Sequence, residues 1–230
     1  MSSEKDVVYG TEDLLMSLCN SVVRVLNVAT QSRVNYSGMV QRITKTGLKP
    51  DIGCFVMFDG GFTGLVVLNF AADTAMEIYE RYMLHMGMPK SELASFYTSD
   101  EVSNIMGELM NQIVGDFTGK VRRELQTNIT QSQPKMLVLN KQVMLSVDTP
   151  LDRPDMRRVT FYTEKNTIFY LELAIDRTEF IKLHDFDSRE VDTDALMDTE
   201  YANQARDAEP APAAAPADDD NEDLLKSLGM

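Results

Sequence analysis

Histidine, cysteine and basic residues are scarce in this chain, and each shortage argues against a class of function. Two histidines and two cysteines occur among the 230 residues, without the spacing of metal ligands. Asp and Glu number 36 against 22 Lys and Arg, and no basic stripe could neutralise phosphates, so DNA and RNA are not expected partners. A glycine-rich phosphate loop is also missing, which argues against a nucleotide enzyme.

Long apolar runs are missing as well. The first residues do not combine a basic start with an apolar segment, and no apolar run approaches the ~18 residues of a membrane-spanning helix. We therefore expect a cytoplasmic protein without membrane insertion. Cys19 and Cys54 lie among apolar neighbours and are expected to be buried thiols.

Negative charge is concentrated at the C-terminal end of the chain. Residues 185–230 contain 14 acidic and three basic residues, a net charge of −11 out of the −14 of the whole chain. We predict a folded domain over 1–184 and an acidic, Ala/Pro-rich disordered linker over 185–220, because the linker composition cannot bury enough apolar surface to fold. Residues 221–230 regain an amphipathic pattern and are predicted to form a docking peptide.

Hydrophobic periodicity divides the first 184 residues into two halves, each with a helix followed by strands. The pattern predicts helices over 12–30, 71–87 and from the Thr98 region to 125, and strands near 34–46, 54–58, 65–70, 136–139, 141–147, 158–163 and 168–175. Asp59-Gly60-Gly61 and Glu164-Lys165-Asn166 are predicted hairpin turns. This order predicts an α+β fold, with two long helices and a shorter one packed on a largely antiparallel sheet.

Two of the predicted helices begin at recognisable capping sequences. Thr11 can cap the first helix, ahead of two acidic residues that favour its positive end. In Thr98-Ser99-Asp100-Glu101, Thr98 can accept a backbone hydrogen bond while Glu101 reaches back, as in a capping box.

The most informative motif lies in the third predicted helix. Glu108 and Asn111 are three residues apart, so their side chains project from one face and can enter one partner pocket together. Glu-x-x-Asn occurs three times in the chain, but only this copy is followed, after 22 residues, by a proline, Pro134. The alternative is that Glu108 and Asn111 are ordinary polar residues of a helix surface.

Four residues of this helix form a second face, distinct from its apolar stripe. Asn104, Glu108, Asn111 and Gly115 follow a 4-3-4 spacing, and we name them the polar ridge. The apolar stripe consists of Val102, Ile105, Met106, Leu109, Ile113, Phe117 and Val121. Gly107 and Gly115 each cost about 1 kcal/mol of helix propensity relative to Ala, so they are expected to admit another backbone close by, or to pack tightly inside the domain.

These residues resemble the signature of the CheC/CheX/FliY phosphatases of bacterial chemotaxis. That signature is an acidic or Ser residue, three residues, Glu-x-x-Asn, 22 residues and Pro. Glu108, Asn111 and Pro134 match it, whereas Asn104 stands where the family has Asp or Ser. The resemblance covers residues 10 to 180, and a single signature copy is like CheX, because Ser17 precedes Asn20 in the first helix and forms no second pair.

The C-terminal peptide has a resemblance of its own. Residues 223–230 are similar to the extreme C-terminus of the unrelated phosphatase CheZ, which tethers phosphorylated CheY. Leu224, Leu225 and Leu228 share one helical face, and Met230 replaces the family's Phe. A flexible linker before it would span roughly 30–35 Å. The alternative is a charged, solubilising end.

The two resemblances imply one partner, a phosphorylated CheY-like response regulator. Asn111 would orient a water molecule toward the regulator's phospho-aspartate, Glu108 would pair with its lysine, and Pro134 would be structural. The regulator would supply Mg²⁺, so no cofactor of the chain's own is expected. Asn104 and Gly115 would contact the partner, and CheX-like relatives imply a homodimer joined through sheet edges. The alternative function is a non-catalytic module that senses or sequesters the regulator, or serves as a flagellar-switch or array component.

Overall fold

The computed structural model describes residues 8–139, 143–147 and 151–181. Over these residues the chain forms the helices α1 (Thr11–Thr30), α2 (Ala72–His85) and α3 (Asp100–Leu125). The strands are β1 (Val8–Tyr9), β2 (Asn35–Arg42), β3 (Thr46–Leu48), β4 (Ile52–Gly60), β5 (Gly64–Phe70), β6 (Ile129–Gln131), β7 (Lys135–Val138), β8 (Leu145–Val147), β9 (Pro154–Tyr162), β10 (Ile168–Asp176) and β11 (Phe180–Ile181). None of the described helices has the length and apolar character needed to cross a membrane.

The main sheet has seven strands and is antiparallel throughout. Its order is β2-β9-β10-β5-β4-β6, and β7 also pairs with β4 beside β6. Two short pairs, β1 with β11 and β3 with β8, lie outside this sheet. The structure therefore confirms the predicted α+β fold, with two long helices and a shorter one on an antiparallel sheet.

The strand β5 is buried along its whole length because both faces of the sheet are covered there. Successive side chains of a strand point to opposite faces. Val66 and Leu68 belong to the larger core, shared with the three helices. Leu65 and Val67 belong to a smaller cluster that includes Leu48 of β3. The β3–β8 pair thus shields the face that the helices leave open.

The helices α1 and α3 pack against each other in opposite directions. Lys120 of α3 donates to the Ser21 hydroxyl at 3.1 Å, whereas Arg24, further along α1, pairs with Asp116, which precedes Lys120. Asp116 also pairs with Lys120 at 3.1 Å. This polar cluster holds α3, and with it the polar ridge, at a fixed position beside α1.

The start of α3 differs by one residue from the sequence prediction. Ser99, in extended conformation, is the N-cap, and its hydroxyl accepts a hydrogen bond from the Val102 amide at 3.3 Å. Thr98 lies one residue too early to reach that amide, so its predicted capping role is wrong. Glu101 does not close a capping box either, because it accepts a hydrogen bond from the Tyr79 hydroxyl at 3.1 Å.

The N-cap residue of α1 is Gly10, so the prediction that Thr11 caps this helix is also wrong. Thr11 lies inside the helix and is buried. The cap is closed instead by Asp13, whose carboxylate accepts a hydrogen bond from the Gly10 amide at 2.8 Å. The acidic first turn therefore contributes a hydrogen bond as well as a favourable charge.

Both predicted hairpin turns are present, but the short strands β1, β3, β6 and β11 were not predicted as separate strands. Gly60 has a φ of 143° and lies so close to the Asn128 carbonyl that a side chain would collide with it. Asn166 has a φ of 61° between β9 and β10. The strand β6 has three residues, too few for a periodic pattern, and forms because it pairs with β4.

Candidate functional site

The polar ridge is exposed along the middle of α3. Asn104, Glu108, Asn111 and Gly115 all face solvent, as their spacing predicts. Met110, immediately before Asn111, is buried and only 1% exposed, so the helix is anchored in the core directly beneath the ridge. The carboxylate and the carboxamide are thus presented on a rigid element, accessible to a docking protein.

Asn111 is held from one side by a residue of the sheet. Its Oδ1 atom accepts a hydrogen bond from Nε2 of Gln131 at 2.9 Å. Gln131 is the last residue of β6 and pairs with Phe58 of β4. The other amide atom of Gln131, Oε1, is buried and has no hydrogen-bond partner among the described residues. The sequence prediction missed Gln131, although it lies only three residues before Pro134.

Glu108 makes one side-chain hydrogen bond within the part of the chain that the structure describes. Its Oε1 atom accepts a hydrogen bond from Nε2 of Gln112, one turn further along α3, at 3.0 Å. Across the described ranges Glu108 forms no ion pair. The Glu108 carboxylate can therefore form an ion pair with a basic residue of a partner, because no ion pair within the described chain has to break first.

Gly107 and Gly115 are not tightly packed against other residues of the described chain. A Cβ atom on Gly107 would meet Met136 at 3.5 Å, which is ordinary van der Waals contact. On Gly115 it would meet nothing within 4 Å. Packing inside the described chain does not explain Gly115, and the space above it is open to another molecule.

Pro134 lies in the connection between two strands that both pair with β4. Gln131 of β6 is opposite Phe58, and Lys135 of β7 is opposite Phe55. In between, the Ser132 amide donates to the Met57 carbonyl at 2.8 Å. Pro134 is half-buried and lies directly before β7, in the connection that follows β6.

A groove of about 490 Å³ is lined by residues of α1, α2 and α3 beside the polar ridge, and we name it the α1–α3 groove. Its apolar lining includes Val28, Tyr82 and Met86, and Gln112 forms its border with the ridge. Val28 and Met86 are 62% and 66% exposed, unusually open for apolar side chains. The groove gives a docking protein apolar surface next to Glu108 and Asn111.

The corresponding part of α1 does not repeat the pair. Asn20 is exposed and accepts a hydrogen bond from the Tyr36 hydroxyl at 3.0 Å. The residue three positions earlier is Ser17, which is half-buried and carries no charge. The α1 surface therefore presents a carboxamide without the carboxylate.

Reactive thiols and metal ligands do not contribute to this site. Burial raises the pKa of both Cys19 and Cys54 to about 12, which keeps the thiols protonated. Within residues 8–139, 143–147 and 151–181, no three side chains of His, Cys, Asp or Glu converge as a metal site would require.

The predicted linker and docking peptide, residues 185–220 and 221–230, lie outside the described residues. They include four residues that are predicted to contact a partner, Leu224, Leu225, Leu228 and Met230. These contacts remain predictions.

The fold that carries this site is that of the CheX and CheC-like chemotaxis proteins. Chemotaxis protein CheX from Vibrio vulnificus is 13% identical over 71% of this chain and 99% of that chain, with a TM-score of 0.58. CheX from Desulfovibrio desulfuricans is 13% identical over 71% and 99%, with a TM-score of 0.57. CheX in a CheX-CheY-BeF₃-Mg²⁺ complex from Borrelia burgdorferi is 13% identical over 71% and 98%, with a TM-score of 0.55.

The chain itself belongs to the family described as "Protein of unknown function (DUF3334)", whose model matches residues 5–230. No curated protein matches the chain. The family match extends to the last residue, so it includes the acidic C-terminal segment as well as the domain with the CheX-like fold.

Proposed function

We propose that this protein is a phosphatase that hydrolyses the phospho-aspartate of a CheY-like response regulator. The observation that carries the proposal is the placement of Glu108 and Asn111, both exposed and one helical turn apart on the polar ridge. Because the ridge lies on a rigid helix of a CheX-like fold, both side chains can enter a partner's active site together.

The proposed chemistry is the positioning of a water molecule. A response regulator already holds the acyl phosphate, a Mg²⁺ ion and a lysine, and it lacks a water fixed in line with the phosphorus. The Asn111 carboxamide orients that water by hydrogen bonding without acting as a base, and positioning of this kind provides much of the catalysis in phosphoryl transfer. The Mg²⁺ belongs to the regulator, so this chain needs no metal of its own.

Glu108 sets the register of the complex. Its exposed carboxylate pairs with the regulator's lysine, and Gln112 keeps it oriented through the 3.0 Å hydrogen bond. Asn104 and Gly115 flank the pair on the same ridge, and the α1–α3 groove offers adjoining apolar surface. In the Borrelia burgdorferi structure CheX is in complex with CheY, and we carry the kind of partner, not the contacts, over to this chain.

The C-terminal segment increases the local concentration of the regulator. In this proposal Leu224, Leu225, Leu228 and Met230 bind the regulator through the 221–230 peptide, while the 185–220 linker lets the regulator reach the ridge. A flexible tether of this kind gives a millimolar effective concentration and can raise avidity about 100-fold. The protein then acts in the cytoplasm as a homodimer, with no membrane insertion.

The test is phosphate release from candidate phosphorylated regulators. The full chain is compared with Asn111→Ala and with a truncation after Ala217. If the protein is an enzyme, Asn111→Ala should lower the accelerated rate on the order of 100-fold while binding remains, and the truncation should raise the regulator concentration needed for half-maximal rate. Asn20→Ala is the matched control, because it removes an exposed, hydrogen-bonded carboxamide from the other long helix.

Two results would redirect the proposal. If the full chain binds the phosphorylated regulator but Asn111→Ala leaves the rate of phosphate loss unchanged, the protein is a binding module that senses or sequesters the regulator. If only the truncation abolishes hydrolysis, the tail matters more than the polar ridge.

A further inference from the structure

We infer that Gln131 is a positioning residue for Asn111, fixing the plane of its carboxamide so that the group meets the water in one orientation. The inference rests on the proposed function for its catalytic meaning. Its structural part, that Gln131 orders the Asn111 side chain, can be measured without any hydrolysis.

Both ends of the hydrogen bond are attached to rigid backbone. Asn111 lies in the middle of α3, anchored by the buried Met110. Gln131 pairs with Phe58 at the end of β6, and the next amide, that of Ser132, donates to the Met57 carbonyl at 2.8 Å. Since neither backbone can shift easily, the 2.9 Å contact between the two amides is set by the fold.

A fixed amide plane matters because the terminal torsion of an asparagine side chain is broad. An exposed Asn on a helix surface would otherwise rotate freely and present its oxygen and its nitrogen in turn. With Oδ1 held by Gln131, the Nδ2 group and the remaining lone pair of Oδ1 have defined directions. A nucleophilic water needs such a fixed direction to lie in line with the phosphorus.

Gln131 is not a residue that stability alone would favour. Its Oε1 atom is buried without a hydrogen-bond partner in the described part of the chain, an arrangement that destabilises a fold. An apolar side chain of similar length would avoid that loss. A destabilising amide beside a site is expected where function requires it.

The first experiment separates positioning from structure by replacing the amide with an apolar side chain. Gln131→Met should lower kcat of phosphate release about 10-fold with KM unchanged, while the melting temperature stays equal or rises. Gln133→Met, an exposed glutamine of the same connection, is the matched control and should change neither quantity. A lower melting temperature with unchanged kcat would overturn the inference.

A double-mutant cycle then tests whether Gln131 acts through Asn111. In the Asn111→Ala background, Gln131→Met should cause no further loss of rate, because the group that it orders is gone. An additional, independent loss would overturn the inference. Gln131→Glu adds a directional test, since a carboxylate only accepts hydrogen bonds and would turn the Asn111 amide around. Its rate should also fall, again without a change in KM.

Nuclear magnetic resonance of the Asn111 side-chain amide gives the readout that needs no substrate. In the full-length protein this group should be ordered on the nanosecond timescale, and in Gln131→Met it should become mobile. Equal mobility in both proteins would overturn the inference. If this amide is ordered as expected but the full chain releases no phosphate from any regulator, the proposed function fails while the ordering by Gln131 stands.

Discussion

Asn111 carries a carboxamide, and at the scale of single residues this chemistry separates its proposed role from that of a general base. An amide has no proton to lose or gain in the physiological range, so it works through geometry alone. This explains why the site needs a rigid helix below the side chain and a hydrogen-bond donor beside it. The proposed catalytic role therefore depends on the surroundings of Asn111 as much as on Asn111 itself.

The Asn111→Ala substitution should lower the rate of phosphate release on the order of 100-fold, because the water loses its oriented partner. Affinity for the phosphorylated regulator should change by less than about threefold, since one exposed amide contributes little binding energy. Single-turnover phosphate release and titration calorimetry measure the two effects. A large loss of affinity at an unchanged rate would contradict the assignment.

The two cysteines should be inert in the folded protein. Burial raises the pKa of Cys19 and Cys54 to about 12, so at about pH 8 only about one thiol in 10⁴ is the reactive thiolate. We expect no prompt reaction with a thiol reagent in the native state and two reacting thiols in concentrated urea. Prompt modification of either cysteine in the folded protein would show that the core is open.

At the scale of secondary-structure elements, α3 combines a buried apolar stripe with the exposed polar ridge. Gly115 illustrates the compromise, because it lowers helix propensity and nothing in the described chain lies above it. Within the isolated domain an alanine would fit this position without a clash. The proposed contact with a partner would give this glycine a role that packing within the described chain does not.

Gly115→Ala should therefore raise the free energy of unfolding by about 0.5–1 kcal/mol, the usual gain of helix propensity. The same methyl group should weaken regulator binding about tenfold or more, because it occupies space that the partner needs. Urea unfolding and binding titration measure the two effects. Gly119→Ala, one turn further from Asn111, should give the stability gain alone, and equal binding by both variants would contradict a contact at Gly115.

The contact between α1 and α3 should be sensitive to acid. Burial disfavours the charged form of Asp116, but its hydrogen bonds and ion pairs with Arg24 and Lys120 outweigh this effect and hold the pKa of Asp116 below its ordinary 3.8. A lowered folded-state pKa stabilises the fold above pH 3.8, and this contribution is lost as the pH falls through the folded value.

Asp116→Asn should consequently lower the free energy of unfolding by about 1 kcal/mol at about pH 7, a modest figure because Arg24 is largely exposed. The difference from the unmodified protein should shrink below pH 3.8, where the carboxylate is neutral in the unfolded chain. Urea unfolding across this pH range measures it. A difference that is independent of pH would mean that the charge of Asp116 is not what matters.

At the scale of the whole molecule, the outer strand β2 is where the predicted homodimer can be tested. It forms one edge of the main sheet, and its Met39 is 82% exposed. Exposed edge strands pair readily, and a charged side chain on the edge opposes this. The predicted dimer joins subunits through such edges.

Light scattering of the full chain should give twice the mass of one chain, and Met39→Lys should shift the protein toward the monomer. Leu84→Lys, at an exposed apolar position on α2, is the matched control and should leave the mass unchanged. A monomer in the unmodified protein would contradict the predicted dimer. The same mass for both variants would exclude the β2 edge.

Local sequence patterns were enough to predict the helices, most strands, the two hairpin turns and the exposure of Glu108 and Asn111. These features are local, since a period of 3.6 or 2 residues and a glycine or asparagine turn act within a few positions. One error was equally local: the cap of α3 is Ser99, one residue after Thr98.

The surroundings of Asn111, in contrast, depend on how distant parts of the chain pack together. The strand β6 has no periodic signal of its own and exists because β4 offers it hydrogen-bond partners. That pairing carries Gln131 to within 2.9 Å of Asn111, across 20 positions of the chain. Packing likewise settled that nothing within the described chain covers Gly115. Contacts between distant residues depend on how elements assemble, and no local pattern encodes them.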